Sequence, residues 1–119
     1  MDLLQPAIPR DNGIVYIPRG IAQQEQLASA IAEVERLLGP DVVRLRYTVG
    51  TNWSDEPAIF FRVLLSDEAS KRDRLHAVAS RVRALIEEHV DPLNSWELMP
   101  YYGFRSESEQ EMLKEPAWA

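Results

Sequence analysis

The chain of 119 residues has no cysteine, which rules out a disulfide scaffold and any cysteine-ligated zinc or iron–sulfur site. Histidine is nearly as scarce: His76 and His89 lie on one predicted helix. At about 100° and 1.5 Å per residue they face different sides, roughly 20 Å apart, and cannot share a metal ion. No apolar run approaches the ~20 residues of a membrane span. Residues 1–6 lack the basic start and apolar stretch of a secretory signal, so the cytoplasm is the expected location by elimination. The chain also lacks a P-loop, a dinucleotide glycine fingerprint, a nucleophile elbow and an HExxH pair. No cofactor is called for, and the chain reads as a non-enzymatic protein. Neither an internal repeat nor a low-complexity tract is present.

Positive charge is in deficit as well. Thirteen Lys and Arg stand against nineteen Asp and Glu, a net charge of −6. That balance argues against a general polyanion binder, whose affinity comes mostly from neutralising phosphates. Most of the cations are arginines, whose fork matches carboxylate geometry.

What the chain does have is one conspicuous apolar run, residues 58–65, bounded by Pro57 and by Ser66-Asp67. Its length and its β-branched and aromatic content predict a buried strand. Alternation puts Ile59, Phe61, Val63 and Leu65 on one side, and Phe60, Arg62 and Leu64 on the other. Both sides are apolar enough to need cover.

Around this strand the chain divides into an extended arm (1–12), an α+β core (13–95) and a segment 96–119 with a possible edge strand and a short helical docking tail. Residues 14–17 predict a short strand stopped by Pro18. From Ile21 to Leu38 the apolar residues Leu27, Ile31, Val34 and Leu38 recur at helical spacing, and Gly39-Pro40 ends this predicted helix. Residues 42–49 predict a second strand, with Val43, Leu45, Tyr47 and Val49 opposite Arg44, Arg46 and Thr48. A second helix is expected from Ser66 or Asp67, with its stripe on Leu75, Val78, Val82, Leu85, Ile86 and Val90, stopping at Asp91-Pro92. Residues 96–99, before Pro100, predict a fourth strand. The order strand–helix–strand–strand–helix–strand favours a two-layer ferredoxin-like (split βαβ) fold, with two helices on one face of an antiparallel or mixed sheet.

That fold leaves a sheet face open, displaying Tyr16, Arg44, Arg46, Phe60 and Arg62. The tail adds Tyr102, Phe104 and Arg105, and the spacing Ser106-x-x-Glu109, or Ser108-x-x-Glu111, matches a capping box at the start of a short helix. Trp53, in a polar loop, is placed to cap the core end or to touch a partner. The acidic pairs Asp55-Glu56 and Asp67-Glu68 are separated by a strand length, too far for a catalytic dyad.

Three functions fit these residues. The first is a protein-binding module that associates with itself as a homo-oligomer, or with a second protein, through the open face and tail. A small acidic, antitoxin-like regulator of a basic protein is one form of it. The second is a small enzyme or ligand binder, with Arg44, Arg46 and Arg62 clamping an anionic small molecule. The third is an RNA-binding sheet, with Tyr16 and Phe60 stacking bases; the third-strand aromatic pattern that role calls for is absent.

Overall fold

The run at 58–65 is the middle strand of a three-stranded mixed sheet in an α+β fold. A computed structural model describes residues 16–119, so the arm at 1–12 and the first half of the strand expected at 14–17 lie outside the described residues. The elements are α1 (Arg19–Ala22), α2 (Gln24–Glu35), β1 (Val42–Thr51), β2 (Pro57–Leu65), α3 (Leu75–His89), α4 (Pro92–Trp96), β3 (Met99–Ser106) and α5 (Glu107–Leu113), followed by a 3-10 turn at Pro116–Trp118. No helix among the described residues is long and apolar enough to cross a membrane.

β1 and β2 form an antiparallel hairpin, from Val42 opposite Leu65 to Thr51 opposite Pro57. Asn52 shapes the turn: its Oδ1 accepts from the amides of Ser54 and Glu56, at 2.8 and 3.0 Å. Such side-chain acceptance is why asparagine favours turns. Asp55 supplies the left-handed residue (φ 62°). A bulge between Val42 and Arg44 turns Val43 outward, where it is 38% exposed, and Val42 packs inward in its place. A bulge does this because one extra residue interrupts the two-residue alternation.

β3 pairs with β2 directly and in parallel, from Ala58 beside Met99 to Leu65 beside Ser106. This replaces the expected split βαβ arrangement, in which the first strand lies between these two. Tyr16 and Ile17 belong to no strand. The fourth strand expected at 96–99 begins instead at Met99 and runs through Pro100. Proline is tolerated there because β3 is an edge strand, with one row of main-chain groups unpaired.

The helices cover one side of the sheet, as the apolar stripes require. Leu27, Ile31, Val34 and Leu38 meet Val78, Val82, Ile86 and Val90 over Leu45, Ile59, Phe61, Val63 and Leu65, all buried. The first predicted helix is broken at Gln23, because α1 is held elsewhere. The Arg19 side chain donates to the carbonyls of Ser95 and Asn94 at the end of α4, at 2.7 and 2.9 Å. These are carbonyls that a helix end leaves without intrahelical partners. The second helix starts at Leu75 rather than at Ser66 or Asp67. Ser66 caps only a turn, by accepting from the Ala69 amide, and the Asp67 carboxylate is taken by Ser108.

Gly20 is buried where α1 meets Leu98. A Cβ there would lie 2.3 Å from Leu98 Cδ1 and 3.2 Å from the Trp96 carbonyl. Gly20→Ala is therefore expected to cost about 1–3 kcal/mol through overpacking. Gly50→Ala meets nothing within 4 Å and stays within about 0.5 kcal/mol of the parent. Equilibrium denaturant unfolding of the two variants checks the difference.

Candidate functional site

Beyond an end row of Gly50, Ala58 and Met99, the side of the sheet away from the helices is built from three cross-strand rows. Strand register aligns Thr48, Phe60 and Tyr101 in the first, Arg46, Arg62 and Gly103 in the second, and Arg44, Leu64 and Arg105 in the third. Four arginines thus share one face with an aliphatic floor.

The chain's own tail covers the second and third rows. α5 opens with the capping box: Ser106 Oγ accepts the Glu109 amide, and the Glu109 carboxylate accepts the Ser106 amide. Lys114 ends the helix in the left-handed region (φ 52°), and the 3-10 turn then lies back across the sheet. The Nε groups of Arg62, Arg44 and Arg46 donate to the main-chain oxygens of Ala117, Trp118 and Ala119, at 2.7, 3.1 and 3.0 Å. A charged donor makes these stronger than neutral hydrogen bonds. The Trp118 ring lies over Gly103, 3.4 Å from where a Cβ would sit, and the Arg105 guanidinium stands 4.3 Å from its centroid. Arg105 also pairs with Glu115 at 2.7 Å and donates to Gln110 Oε1 at 3.0 Å. Leu64, beneath the tail, is 2% exposed. The arginines thus meet main-chain oxygens, and only Arg105 meets a tail carboxylate.

The first row is left uncovered. Phe60 and Tyr101 stack with ring centroids 5.3 Å apart, and Trp53 meets Tyr101 edge-on at 6.0 Å. Both distances fall in the favourable range for aromatic pairs. Asn52 Nδ2 donates to the Tyr101 hydroxyl at 3.1 Å and holds that ring. Trp53 remains 85% exposed. Beside the cluster is an open concavity of about 460 Å³, lined by Thr48, Phe60, Arg62, Tyr101 and Gly103.

Of the residues the sequence nominated, Arg44, Arg46, Phe60, Arg62 and Arg105 share this face, with Trp53 at its rim and Glu109 in the capping box. Tyr102 and Phe104 do not belong to it, because alternation along β3 turns them to the helix side. Tyr102 stacks on Phe61 and donates to Glu87 of α3; burial, then the Glu87 contact, push its hydroxyl pKa far above the ordinary value. Tyr16 is also elsewhere. It hydrogen-bonds Glu97, which raises the phenol's pKa and lowers the carboxyl's. Tyr101 and Gly103 are the positions of this face that the sequence nomination lacked. Once β3 is known to run through Pro100, the parity of Tyr102 identifies both.

No group of three or more His, Asp or Glu among the described residues could hold a metal ion.

Two outcomes test how the tail is held. Gly103→Leu is expected to lift Trp118 from the sheet. Amide exchange of Trp118 and Ala119 and exposure of the Trp118 ring both rise, while exchange within α3 is unchanged. The second outcome concerns pH. The Asp67 pKa lies below its ordinary 3.8, first because of the Ser108 hydroxyl and then its amide. A lowered carboxyl contributes above its unfolded-state pKa, and the contribution is lost as pH falls through the folded-state value. Protection from exchange at the start of α5 therefore falls below about pH 4, and Ser108→Ala, which loses the hydroxyl but keeps the amide bond to Asp67, weakens that pH dependence.

No protein-family model matches the sequence, and no curated protein matches it, so the geometry of this face is what carries a functional reading.

Proposed function

We propose that the chain is a non-enzymatic protein-binding module whose contact surface is the uncovered first row, Thr48, Phe60 and Tyr101, with Trp53 at the rim. The exposed Trp53, packed edge-on against the Phe60–Tyr101 pair, carries this reading. Water gains nothing from three large aromatics held together at a surface, and interfaces concentrate their binding energy in such residues. Rings fixed on strands and braced by Asn52 lose little side-chain entropy when a partner arrives.

The cations at the border, Arg46 and Arg62, suit a partner that presents an apolar segment flanked by carboxylates. The tail takes only their Nε donors among the described residues, apart from a bond from Arg46 to the Leu45 carbonyl. An antitoxin-like regulator of a basic protein draws support from size and total charge, and from nothing on this face.

One observation favours a second reading. The concavity beside the cluster has Arg62 in its lining next to Phe60 and Tyr101, an arrangement suited to a small aromatic carboxylate. Stabilisation by such compounds that is lost in Arg62→Ala and kept in Trp53→Ala would favour this pocket over the protein interface.

The protein-binding reading is tested with a photo-crosslinking residue at the exposed Thr48 in cells. Affinity for the captured partner is then measured with purified proteins. Trp53→Ala and Phe60→Ala are expected to weaken binding by about 30-fold or more, the level of an interface hot spot, with unchanged circular dichroism. Unchanged affinity in both variants overturns the reading.

A further inference from the structure

The aromatic row is bordered by opposite charges along the sheet. Trp53, Phe60 and Tyr101 form an exposed group, with Tyr101 6.0 Å from Trp53 and 5.3 Å from Phe60 between centroids. At one end, Asp55 and Glu56 of the hairpin turn are exposed, and neither pairs with a base among the described residues. At the other, Arg46 and Arg62 each give an Nε donor to the tail. A surface ordered acidic, aromatic, basic suits a segment ordered basic, apolar, acidic.

The chain's own arm has that order when followed back from Tyr16. Asp11 and Arg10 come first, then Pro9, Ile8, Ala7, Pro6, Leu4 and Leu3 with Gln5 as the one polar residue among them, and then Asp2. Proline favours the polyproline II helix, which has three residues per turn and a rise of about 3.1 Å. Leu3, Pro6 and Pro9 match that period, which would set them on one side at intervals of about 9 Å. Aromatic surfaces take Pro-x-x-Pro segments in this form because little conformational entropy is lost on docking.

The tether is long enough. Tyr16 is hydrogen-bonded to Glu97, which precedes Tyr101 by four residues, no more than about 14 Å. The hairpin turn lies at the same end of the sheet, because Ala58 pairs with both Gly50 and Met99. From that end, turn acids, aromatic row and arginines follow in order. Pro9 is seven residues before Tyr16, a reach of up to about 25 Å. A short tether also gives an effective concentration of about a millimolar.

We propose that residues 2–10 dock in cis across the aromatic row. Pro6 and Pro9 lie on Trp53, Phe60 and Tyr101, Arg10 meets Asp55 and Glu56, and Asp2 meets Arg46 and Arg62. Such docking rests on the proposed role of the row as a contact surface, and it adds a regulation, since a protein partner must displace the arm.

Because the chain has no cysteine, Ala7→Cys places a single nitroxide label on the full-length protein. The label is expected to broaden the amide resonances of Thr48, Phe60 and Tyr101 and to leave Lys71 and Arg72, beyond the far end of β2, sharp. Dilution leaves the pattern unchanged. In the labelled chain, Trp53→Ala lowers the docked-to-free ratio by about 30-fold, the scale of a hot spot. Arg10→Glu lowers it by about threefold, and adding Asp55→Lys/Glu56→Lys to Arg10→Glu restores it. No broadening at the row, broadening that grows with concentration and so comes from a second copy, or broadening unchanged in both Trp53→Ala and Arg10→Glu overturns the proposal. The measurement uses no partner. Absent broadening, with Trp53→Ala still weakening the photo-captured partner, removes the arm and keeps the interface; broadening with unchanged partner affinity keeps the arm and removes the interface.

Discussion

The guanidinium groups of Arg44, Arg46 and Arg62 hold the main-chain oxygens of residues 117–119, and that contact solves a problem set by the middle strand. β2 is apolar on both faces, yet the helices pack on one. Without the tail, Leu64 would face water among four cations. With it, the leucine is buried, and the arginines satisfy oxygens that a lone 3-10 turn leaves unpaired. Gly103 completes the fit because it alone on β3 is flat enough for the Trp118 ring.

Covering the two arginine rows and leaving the aromatic row open separates two kinds of surface. The arginine rows become internal structure, and the aromatic row becomes the exposed part. The cations that first suggest an anion clamp thus each give their Nε donor to the tail. The aromatic residues beside them are held rigid by stacking and by Asn52. A rigid, exposed aromatic group on a β-scaffold suits recognition better than catalysis, which needs titratable groups converging on one reacting atom.

The charge is distributed unevenly. Acid and base are segregated within the net −6: α5 carries three glutamates, a groove lined by Arg72, His76 and Arg83 carries no acid, and ion pairs such as Arg74 with Asp41 cancel locally. Electrostatics of this kind acts through patches rather than through the total, because screening limits reach to about 10 Å.

The sequence by itself determined the hairpin strands, the apolar stripes of α2 and α3, a capping box at the start of the tail helix, and the two-sided apolar character of β2. Each of these is a local pattern, set by a period of two or 3.6 residues or by a fixed side-chain spacing. It left three things open or placed them differently: the strand that neighbours β2, the face that Tyr102 and Phe104 occupy, and the occupant of the arginine rows. Only the tertiary structure decided these. Pro100 looks like a strand end until β3 is known to lie at an edge, and a one-residue change of parity exchanges the faces of every residue after it. The cover over Arg44, Arg46 and Arg62 is made by main-chain oxygens, which every residue carries and no sequence pattern marks.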